Sequence, residues 1–258
     1  MIFFSRVRRF LSSLGFDPGR MWCALLGVPG YVRDCRRFRQ LNRGRPDLFP
    51  RFMLRPCWKD RKEGSGVASG HYFHQDLLVA RRIFASNPRR HVDVGSRVDG
   101  FVAHVASFRE LYLLDVRPLR PPVSGVCFRQ ADLMNPLDPS LVGFCDSLSS
   151  LHAVEHFGLG RYGDPIRPEG YRVGLHNMAR ILEPGGTFYL SVPMGPPRIE
   201  FNAHRVFGLK DLLALLRPDF NSLCFSYVDD DGHLHTNVPL KDGEVENNFN
   251  CWYGLAIL

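Results

Sequence analysis

Two aspartates and a glycine turn have a spacing that suits recognition of a nucleoside. Asp93 lies in a short apolar run and is followed by Gly95 and Ser96, while Asp115 ends the next apolar run, 115 − 93 = 22 residues later. In α/β proteins, a glycine turn after the first strand lets a ligand approach the backbone. An acid about 20 residues further on accepts hydrogen bonds from ribose hydroxyls. This pattern predicts a site for adenosine without a 2′-phosphate.

The same turn argues against two common phosphate-binding motifs. Gly95 and Gly100 have the spacing of G-x-x-x-x-G, but Phe101 and Val102 stand where a P-loop has Lys and Ser or Thr. The turn also does not match G-x-G-x-x-G, the dinucleotide-binding pattern. Arg97 places a positive charge within the turn. The sequence also argues against a nicotinamide oxidoreductase, a third alternative, because no Tyr-x-x-x-Lys pattern accompanies the turn.

A second group of residues could move a proton or hold a metal. His152, Glu155 and His156 follow one another at offsets of 0, 3 and 4, and His204 comes later in the chain. The imidazole of His156 or His204, placed beside an acceptor hydroxyl, could remove its proton as a general base. Alternatively, His152, His156 and His204 with the Glu155 carboxylate could hold a metal, and such a ligand set would favour a transition metal over Mg²⁺. The spacing leaves open the base, a divalent metal, and a role in the fold alone.

Short apolar runs alternate with amphipathic segments from residue 70 onward, which predicts strands separated by helices. Such alternation is typical of a mostly parallel sheet that helices cover on both faces. We therefore expect a Rossmann-like α/β domain with a seven-stranded sheet over residues 70–258. The predicted strands are 91–94, 111–115, 125–130, 144–151, 187–192, 223–228 and 252–258, and the main predicted helices are 71–85, 168–182 and 209–216.

Residues 1–69 differ from the rest of the chain in charge. Residues 1–62 hold 15 Lys or Arg and 4 Asp or Glu, a net charge of 15 − 4 = +11, whereas the remaining residues carry 7 − 11 = −4. Apolar residues recur at helical spacing between Phe3 and Leu14, and a loop-rich stretch begins near Gly44. This predicts a basic helical arm and linker. Such an arm could lie on an anionic membrane or on a partner protein, or pack against the body.

Composition narrows the class of protein further. No run approaches the roughly 20 apolar residues that cross a bilayer. Seven cysteines without a C-x-x-C pair argue against a disulfide framework or zinc site. The sequence argues against nucleic-acid binding, because the positive charge comes with no recognition-helix or RNA-binding motif. We expect a cytoplasmic protein, peripheral at the membrane if the arm binds lipid.

Several stretches of the sequence carry a family resemblance, namely residues 92–95, 114–115, 131–133, 151–156 and, most specifically, 179–193. Together they resemble class I S-adenosylmethionine-dependent methyltransferases. Within that superfamily, residues 71–73, 94–100 and 200–205 look like the family catalogued as domain of unknown function 268, which is often met beside surface-polysaccharide genes. The resemblance covers about residues 50–258.

The resemblance implies a cofactor role for particular positions. In the superfamily's scheme, the methionine moiety would contact Asp93, Gly95 and Ser96, and Asp115 would hold the ribose. The adenine would be flanked by Asp132 and Leu133, and the pocket wall beyond the fourth strand would include Ser150 and Leu151. One departure is that Arg97 and Asp99 stand where the superfamily's G-x-G-x-G has glycines.

The resemblance also implies an activity. It suggests methyl transfer from S-adenosylmethionine to a hydroxyl of a glycan or surface-polysaccharide precursor, with His156, His204 and Glu155 as catalytic residues. A divalent metal is a secondary possibility. The alternative is a non-catalytic scaffold of the same fold that docks to a glycosyltransferase or a membrane surface, an interpretation that Arg97 favours.

Overall fold

The computed structural model describes residues 18–43, 51–57, 65–221 and 223–258. The chain divides into two compact units, residues 1–67 and 68–258. In the first unit, helix α1 spans Pro18–Leu41. Among the described residues, no helix is both long and apolar enough to cross a membrane. The predicted stripe between Phe3 and Leu14 lies outside the described residues.

The second unit alternates helices with strands. Its helices are α2 (His71–Ser86), α3 (Ala103–Ala106, preceded by a π-helical turn at Val98–Val102), α4 (Gly170–Ile181), α5 (Leu209–Leu216) and α6 (Asp242–Glu246). Its strands are β1 (His91–Val94), β2 (Leu111–Asp115), β3 (Val126–Gln130), β4 (Cys145–Leu151), β5 (Leu182–Met194), β6 (Arg198–Glu200), β7 (His204–Val206), β8 (Ser226–Val228), β9 (Leu234–His235) and β10 (Gly254–Ile257). Short 3₁₀ turns span Pro139–Leu141, Val154–His156 and Asn248–Asn250.

The main sheet has eight strands in the order β3-β2-β1-β4-β5-β10-β8-β9. Strands β3, β2, β1, β4 and β5 pair in parallel, and β10 pairs antiparallel with both β5 and β8. This order confirms the predicted Rossmann-like, class I methyltransferase fold. The prediction of seven strands missed β9, a two-residue strand at the edge, and the separate β6–β7 hairpin.

Apolar side chains cover both faces of the sheet. On one face, α4 and α5 bury Leu175, Met178 and Leu209 in a core that includes Val92 and Val94 of β1. On the other face, α2 and the segment around α3 bury a second cluster. It includes Val79, Ile83, Phe101, Val105, Leu111 and Leu113. Because strand order reverses between β1 and β4, the carboxyl ends of these two strands form the crevice where such sheets bind ligands.

Candidate active site

A cavity of about 550 Å³ opens at the carboxyl ends of the parallel strands. This volume falls within the usual range for small-molecule and cofactor sites. Residues that follow β1, β2, β3 and β4 form its walls. Of the predicted site residues, those in the wall are Gly95, Ser96, Asp115, Asp132, Leu133 and His156.

The turn after β1 requires a glycine at position 95. Gly95 has φ +73°, in the left-handed region, and a Cβ atom there would come within 3.0 Å of the Ala153 Cβ. Its backbone N–H donates to the Leu114 carbonyl at 2.9 Å, which ties the turn to the end of β2. The turn therefore brings the ends of β1, β2 and β4 close together.

Asp93 organises this turn from behind the cavity wall. Its side chain is fully buried and does not line the cavity. One carboxylate oxygen accepts the Ser96 N–H at 3.0 Å, and the other accepts the hydroxyls of Ser96 at 2.6 Å and Ser149 at 2.5 Å. Burial raises the pKa of Asp93 to about 7, although these hydrogen bonds favour the carboxylate. Asp93 therefore acts here as a support of the turn.

Asp115 faces the cavity, but Arg117 already occupies most of its carboxylate. Oδ1 accepts hydrogen bonds from the Arg117 backbone N–H at 2.8 Å and from Nε at 3.0 Å, and Oδ2 accepts one from Nη2 at 2.7 Å. The Arg117 guanidinium carbon also lies 4.4 Å from the centre of the Tyr162 ring. A carboxylate offers about four lone-pair sites, so Oδ2 retains one for a ligand.

Arg97, the departure from the glycine pattern, is paired within the same turn. Its Nε and Nη2 donate to the two Asp99 carboxylate oxygens at 3.1 and 2.9 Å. Its guanidinium carbon lies 4.9 Å from the centre of the Tyr72 ring. The positive charge is thus at the cavity but matched by a neighbouring acid.

Of the four remaining residues predicted to contact the cofactor, two line the cavity and two do not. Asp132 is in the wall, where its carboxylate accepts from the Met134 N–H at 2.9 Å and the Asn135 side chain at 3.2 Å. Leu133 is buried beside it. Ser150 and Leu151 do not line the cavity. The Ser150 hydroxyl donates to the Val94 carbonyl at 3.0 Å, and Leu151 is part of the apolar core.

His152 lines the cavity and has its orientation fixed by Glu155. It has φ +53°, an uncommon conformation for a residue other than glycine. Its Nδ1 lies 2.6 Å from Glu155 Oε1, and its buried Nε2 has no hydrogen-bond partner. With the proton on Nδ1, donated to the carboxylate, Nε2 carries the lone pair. The sequence spacing marked His152 only as a possible metal ligand, and nothing in the sequence indicates its left-handed backbone.

Glu155 is fully buried and lies behind the cavity wall. Burial works to raise the pKa of its carboxyl, but His152, His156 and a backbone hydrogen bond together outweigh this effect and leave the pKa below its ordinary value. The second carboxylate oxygen has no partner among the described residues. Glu155 can therefore act on a substrate only through the histidines beside it.

His156 and His204 lie near each other, with ring centres 6.4 Å apart. His156 lines the cavity, and its Nδ1 donates to the Ala203 carbonyl at 2.6 Å. Burial lowers the pKa of His156, against the opposing effect of Glu155. His204 does not line the cavity, and its Nε2 lies 3.6 Å from a Glu200 oxygen.

The histidine cluster does not assemble as a metal site in this structure. Within the part of the chain described here, one group of three possible ligands has its donor atoms within 4.8 Å of one another. It consists of Asp229, Asp231 and His233, of which the last two are exposed and all three are remote in sequence from the β4 histidines. Exposed acidic groups of this kind are common without an ion.

Solved structures with a similar fold include several methyltransferases. The 1,6-didemethyltoxoflavin-N1-methyltransferase of Burkholderia thailandensis is 18% identical, with 71% of this chain and 76% of that chain covered and a TM-score of 0.44. The N-methyltransferase NodS of Bradyrhizobium japonicum WM9 is 12% identical, with coverage of 73% and 86% and a TM-score of 0.48. Phosphoethanolamine N-methyltransferase 2 of Haemonchus contortus is 13% identical, with coverage of 65% and 41% and a TM-score of 0.45.

No curated protein sequence matches the chain. A family model does match residues 140–247, the segment that contains β4, the histidine cluster and α4 to α6. The family is described as "Caenorhabditis protein of unknown function, DUF268". Over this segment the match confirms the resemblance to the domain of unknown function 268 that the sequence motifs predicted.

Proposed function

We propose that the protein transfers a methyl group from S-adenosylmethionine to a hydroxyl of a glycan or surface-polysaccharide precursor. One observation carries this proposal. A single cavity joins the Gly95 turn and Asp115 on one side to His152, backed by Glu155, on the other. The first side suits a nucleoside, and the second suits removal of a proton. The glycan class is supported by the family resemblance.

The residues of the cavity fit the cofactor. When bound, S-adenosylmethionine supplies a methyl group on a positively charged sulfur. The Gly95 turn gives close access to the backbone, and Asp115 Oδ2 has a lone pair for a ribose hydroxyl. Asp132 and Leu133 form the wall beyond β3, where the adenine would lie. A second bond from the ribose to Asp115 requires Arg117 to release one oxygen.

His152 is the candidate general base. Glu155 holds its Nδ1–H, which leaves the Nε2 lone pair without a partner. An acceptor hydroxyl can give its proton to this buried atom when the side chains that cover Nε2 move aside. His156 offers a second imidazole in the same wall, with its own Nδ1 fixed by the Ala203 carbonyl. Glu155 and His204 lie behind this wall and act as positioning residues. The placed base contributes about 10² to 10⁴ in rate by the general range for such groups.

Calorimetric titration of the full chain with S-adenosylmethionine and its demethylated product tests the cofactor directly. We expect both to bind and NAD not to bind. Absence of binding at millimolar concentration would contradict methyl transfer.

Once an acceptor substrate is identified, steady-state kinetics test the proposed base. His152→Gln should lower kcat by about 10² or more with little change in cofactor affinity. Glu155→Gln should lower kcat less, because Gln can still accept the Nδ1 hydrogen bond.

A non-catalytic scaffold is the second candidate, and the two arginine–aspartate pairs favour it. Arg97 replaces a glycine of the superfamily pattern, and Arg117 occupies the carboxylate that would hold ribose. A scaffold would bind neither S-adenosylmethionine nor its product, so the same titration separates the two candidates.

We also propose that the arm places the enzyme at an anionic membrane. Residues 21–32 contain no charged residue, and Trp22, Leu25 and Leu26 are exposed. Residues 33–43 hold five arginines and one acid. Exposed apolar side chains followed by clustered arginines suit the boundary between headgroups and acyl chains.

A further inference from the structure

Arg161 differs from the other two arginines that line the described cavity. Arg97 is paired with Asp99 at 2.9 Å, and Arg117 is paired with Asp115 at 2.7 Å. Within the ranges that the structure describes, no carboxylate lies within ion-pair distance of Arg161. Its guanidinium is therefore a cavity-lining cation whose charge is available to a ligand.

The orientation of Arg161 is fixed by its surroundings. Its Nη1 donates to the Ala203 carbonyl at 3.0 Å, and its guanidinium carbon lies 5.3 Å from the centre of the Tyr162 ring. The loop that carries it is organised by the buried Asp164 carboxylate. This carboxylate accepts hydrogen bonds from the backbone N–H groups of Gly158, Gly160 and Tyr162, at 3.0, 3.3 and 3.1 Å. Because three N–H groups satisfy Asp164, the loop presents Arg161 at little entropic cost.

Arg161 also lies next to the candidate proton acceptors. It shares the Ala203 carbonyl with His156, and its Nη1 is 3.5 Å from His156 Nδ1. A group bound to the free edge of the guanidinium would therefore lie beside the imidazoles that line the cavity. An acceptor held there by one charged group would have a neighbouring hydroxyl beside His156, in the same cavity as His152.

We propose that Arg161 binds an oxyanion of the acceptor, a carboxylate or a phosphate, and so orients the acceptor hydroxyl toward the histidines. This inference rests on the proposed methyl transfer and specifies its substrate class as an anionic sugar. Guanidinium is suited to this task because its fork of N–H donors matches the planar or tetrahedral oxygens of such groups.

The first test observes the arginine side chain itself. The full chain is labelled with ¹⁵N, and the Arg161 Nε–H signal is assigned by its loss in Arg161→Gln. Glucuronate, glucose 1-phosphate and uncharged glucose are then titrated in separate experiments. We expect one or both anionic sugars to shift the Arg161 signal and glucose to leave it unchanged. The two anionic sugars distinguish carboxylate from phosphate as the preferred oxyanion.

The control is Arg172, an exposed arginine paired with Glu169 outside the cavity. Its signal should not move, and Arg172→Gln should bind the anionic sugar as the wild type does. Arg161→Gln should weaken that binding roughly 10- to 100-fold, the range for losing a hydrogen bond to a charged group. No shift at Arg161 with either anionic sugar at tens of millimolar, or equal shifts at Arg161 and Arg172, would overturn the proposal.

A second measurement separates this role from one in cofactor binding. If Arg161 instead holds the carboxylate of the cofactor, Arg161→Gln should weaken binding of S-adenosylhomocysteine but not of 5′-methylthioadenosine, which lacks that carboxylate. That result would overturn the inference and leave methyl transfer intact. If S-adenosylhomocysteine does not bind the wild type, methyl transfer fails, and the sugar titrations still decide whether Arg161 is an oxyanion site.

Discussion

At the scale of single residues, Arg117 competes with the proposed nucleoside for the Asp115 carboxylate. Its side chain donates two hydrogen bonds to Asp115 and places a positive charge beside the proposed ribose position. We expect Arg117→Ala to raise affinity by a few fold for S-adenosylhomocysteine. The gain should be larger for S-adenosylmethionine, because removing a cation favours the positively charged sulfur. Parallel calorimetric titrations of both ligands measure the difference.

The matched variants are Asp115→Asn and Arg172→Ala. The first should weaken binding of both ligands roughly 10- to 100-fold, because the carboxylate acceptor is lost. The second removes an exposed arginine outside the cavity and should change nothing. If Arg117→Ala instead weakens binding, Arg117 is part of the cofactor site and does not compete with the ribose.

The spacing of residues in the sequence predicted part of the candidate site but not the ion pairs and hydrogen bonds within it. The offset between Asp93 and Asp115 was enough to place Asp115 at the cavity, because strand ends repeat at a regular distance in this fold. The ion pair between Arg117 and Asp115 forms where the chain leaves β2 for an irregular segment, and such a segment has no hydrophobic periodicity to predict it. His152 has a left-handed backbone and an Nε2 atom without a hydrogen-bond partner, and sequence patterns encode neither feature.

At the scale of secondary structure, Asp93 joins β1, β4 and the turn through buried hydrogen bonds. Its folded-state pKa of about 7 lies above the ordinary value of 3.8, so the folded protein keeps a proton that the unfolded chain releases. Its contribution to stability is fully present below about pH 4 and is lost as pH rises through about 7. His91 acts in the opposite sense, because burial lowers its pKa to about 3.

The variant Asp93→Asn isolates the contribution of the carboxyl. We expect the free energy of unfolding of Asp93→Asn, relative to wild type, to increase by a few kcal/mol between pH 5 and pH 8. Urea denaturation at the two pH values measures this difference. His91 is present in both proteins, so its effect cancels. A difference that stays constant with pH would contradict a raised pKa at Asp93.

Element prediction succeeded where apolar runs were long and bounded by glycine or proline. Helix α4 lies at Gly170–Ile181, within the predicted 168–182, because its apolar face repeats at helical spacing. Strands β6, β7 and β9 have only two or three residues. So short a run cannot show alternation, and pairing with neighbours decides its conformation. The β6–β7 hairpin nevertheless contributes the turn at Ala203 that fixes His156 and Arg161.

At the scale of the whole molecule, charge is concentrated in the arm. We expect the full chain to float with phosphatidylserine vesicles at low salt and to float less at high salt. Replacing Arg33, Arg36, Arg37 and Arg39 with Gln should reduce binding by about 1 kcal/mol per arginine near the surface, because each contributes attraction to anionic lipid. Vesicle flotation of the variant and the wild type measures this loss.

The control removes the same number of charges from the body. Arg81, Arg172, Lys210 and Lys241 are exposed and lie in the second unit. Their replacement with Gln should leave flotation near the wild-type level. Equal losses in the two variants would show that net charge alone attracts the protein to lipid, and that the arm has no particular role.

Tyr162 lies between Arg117, which holds the carboxylate of Asp115, and Arg161, the proposed oxyanion site. Its ring centre is 4.4 Å from the Arg117 guanidinium carbon and 5.3 Å from that of Arg161. If ribose draws Asp115 away from Arg117, the ring loses or changes one cationic neighbour, and the surroundings of Arg161 change with it. Donor and acceptor then bind with a shared coupling free energy, and each alters the affinity of the other by the same factor.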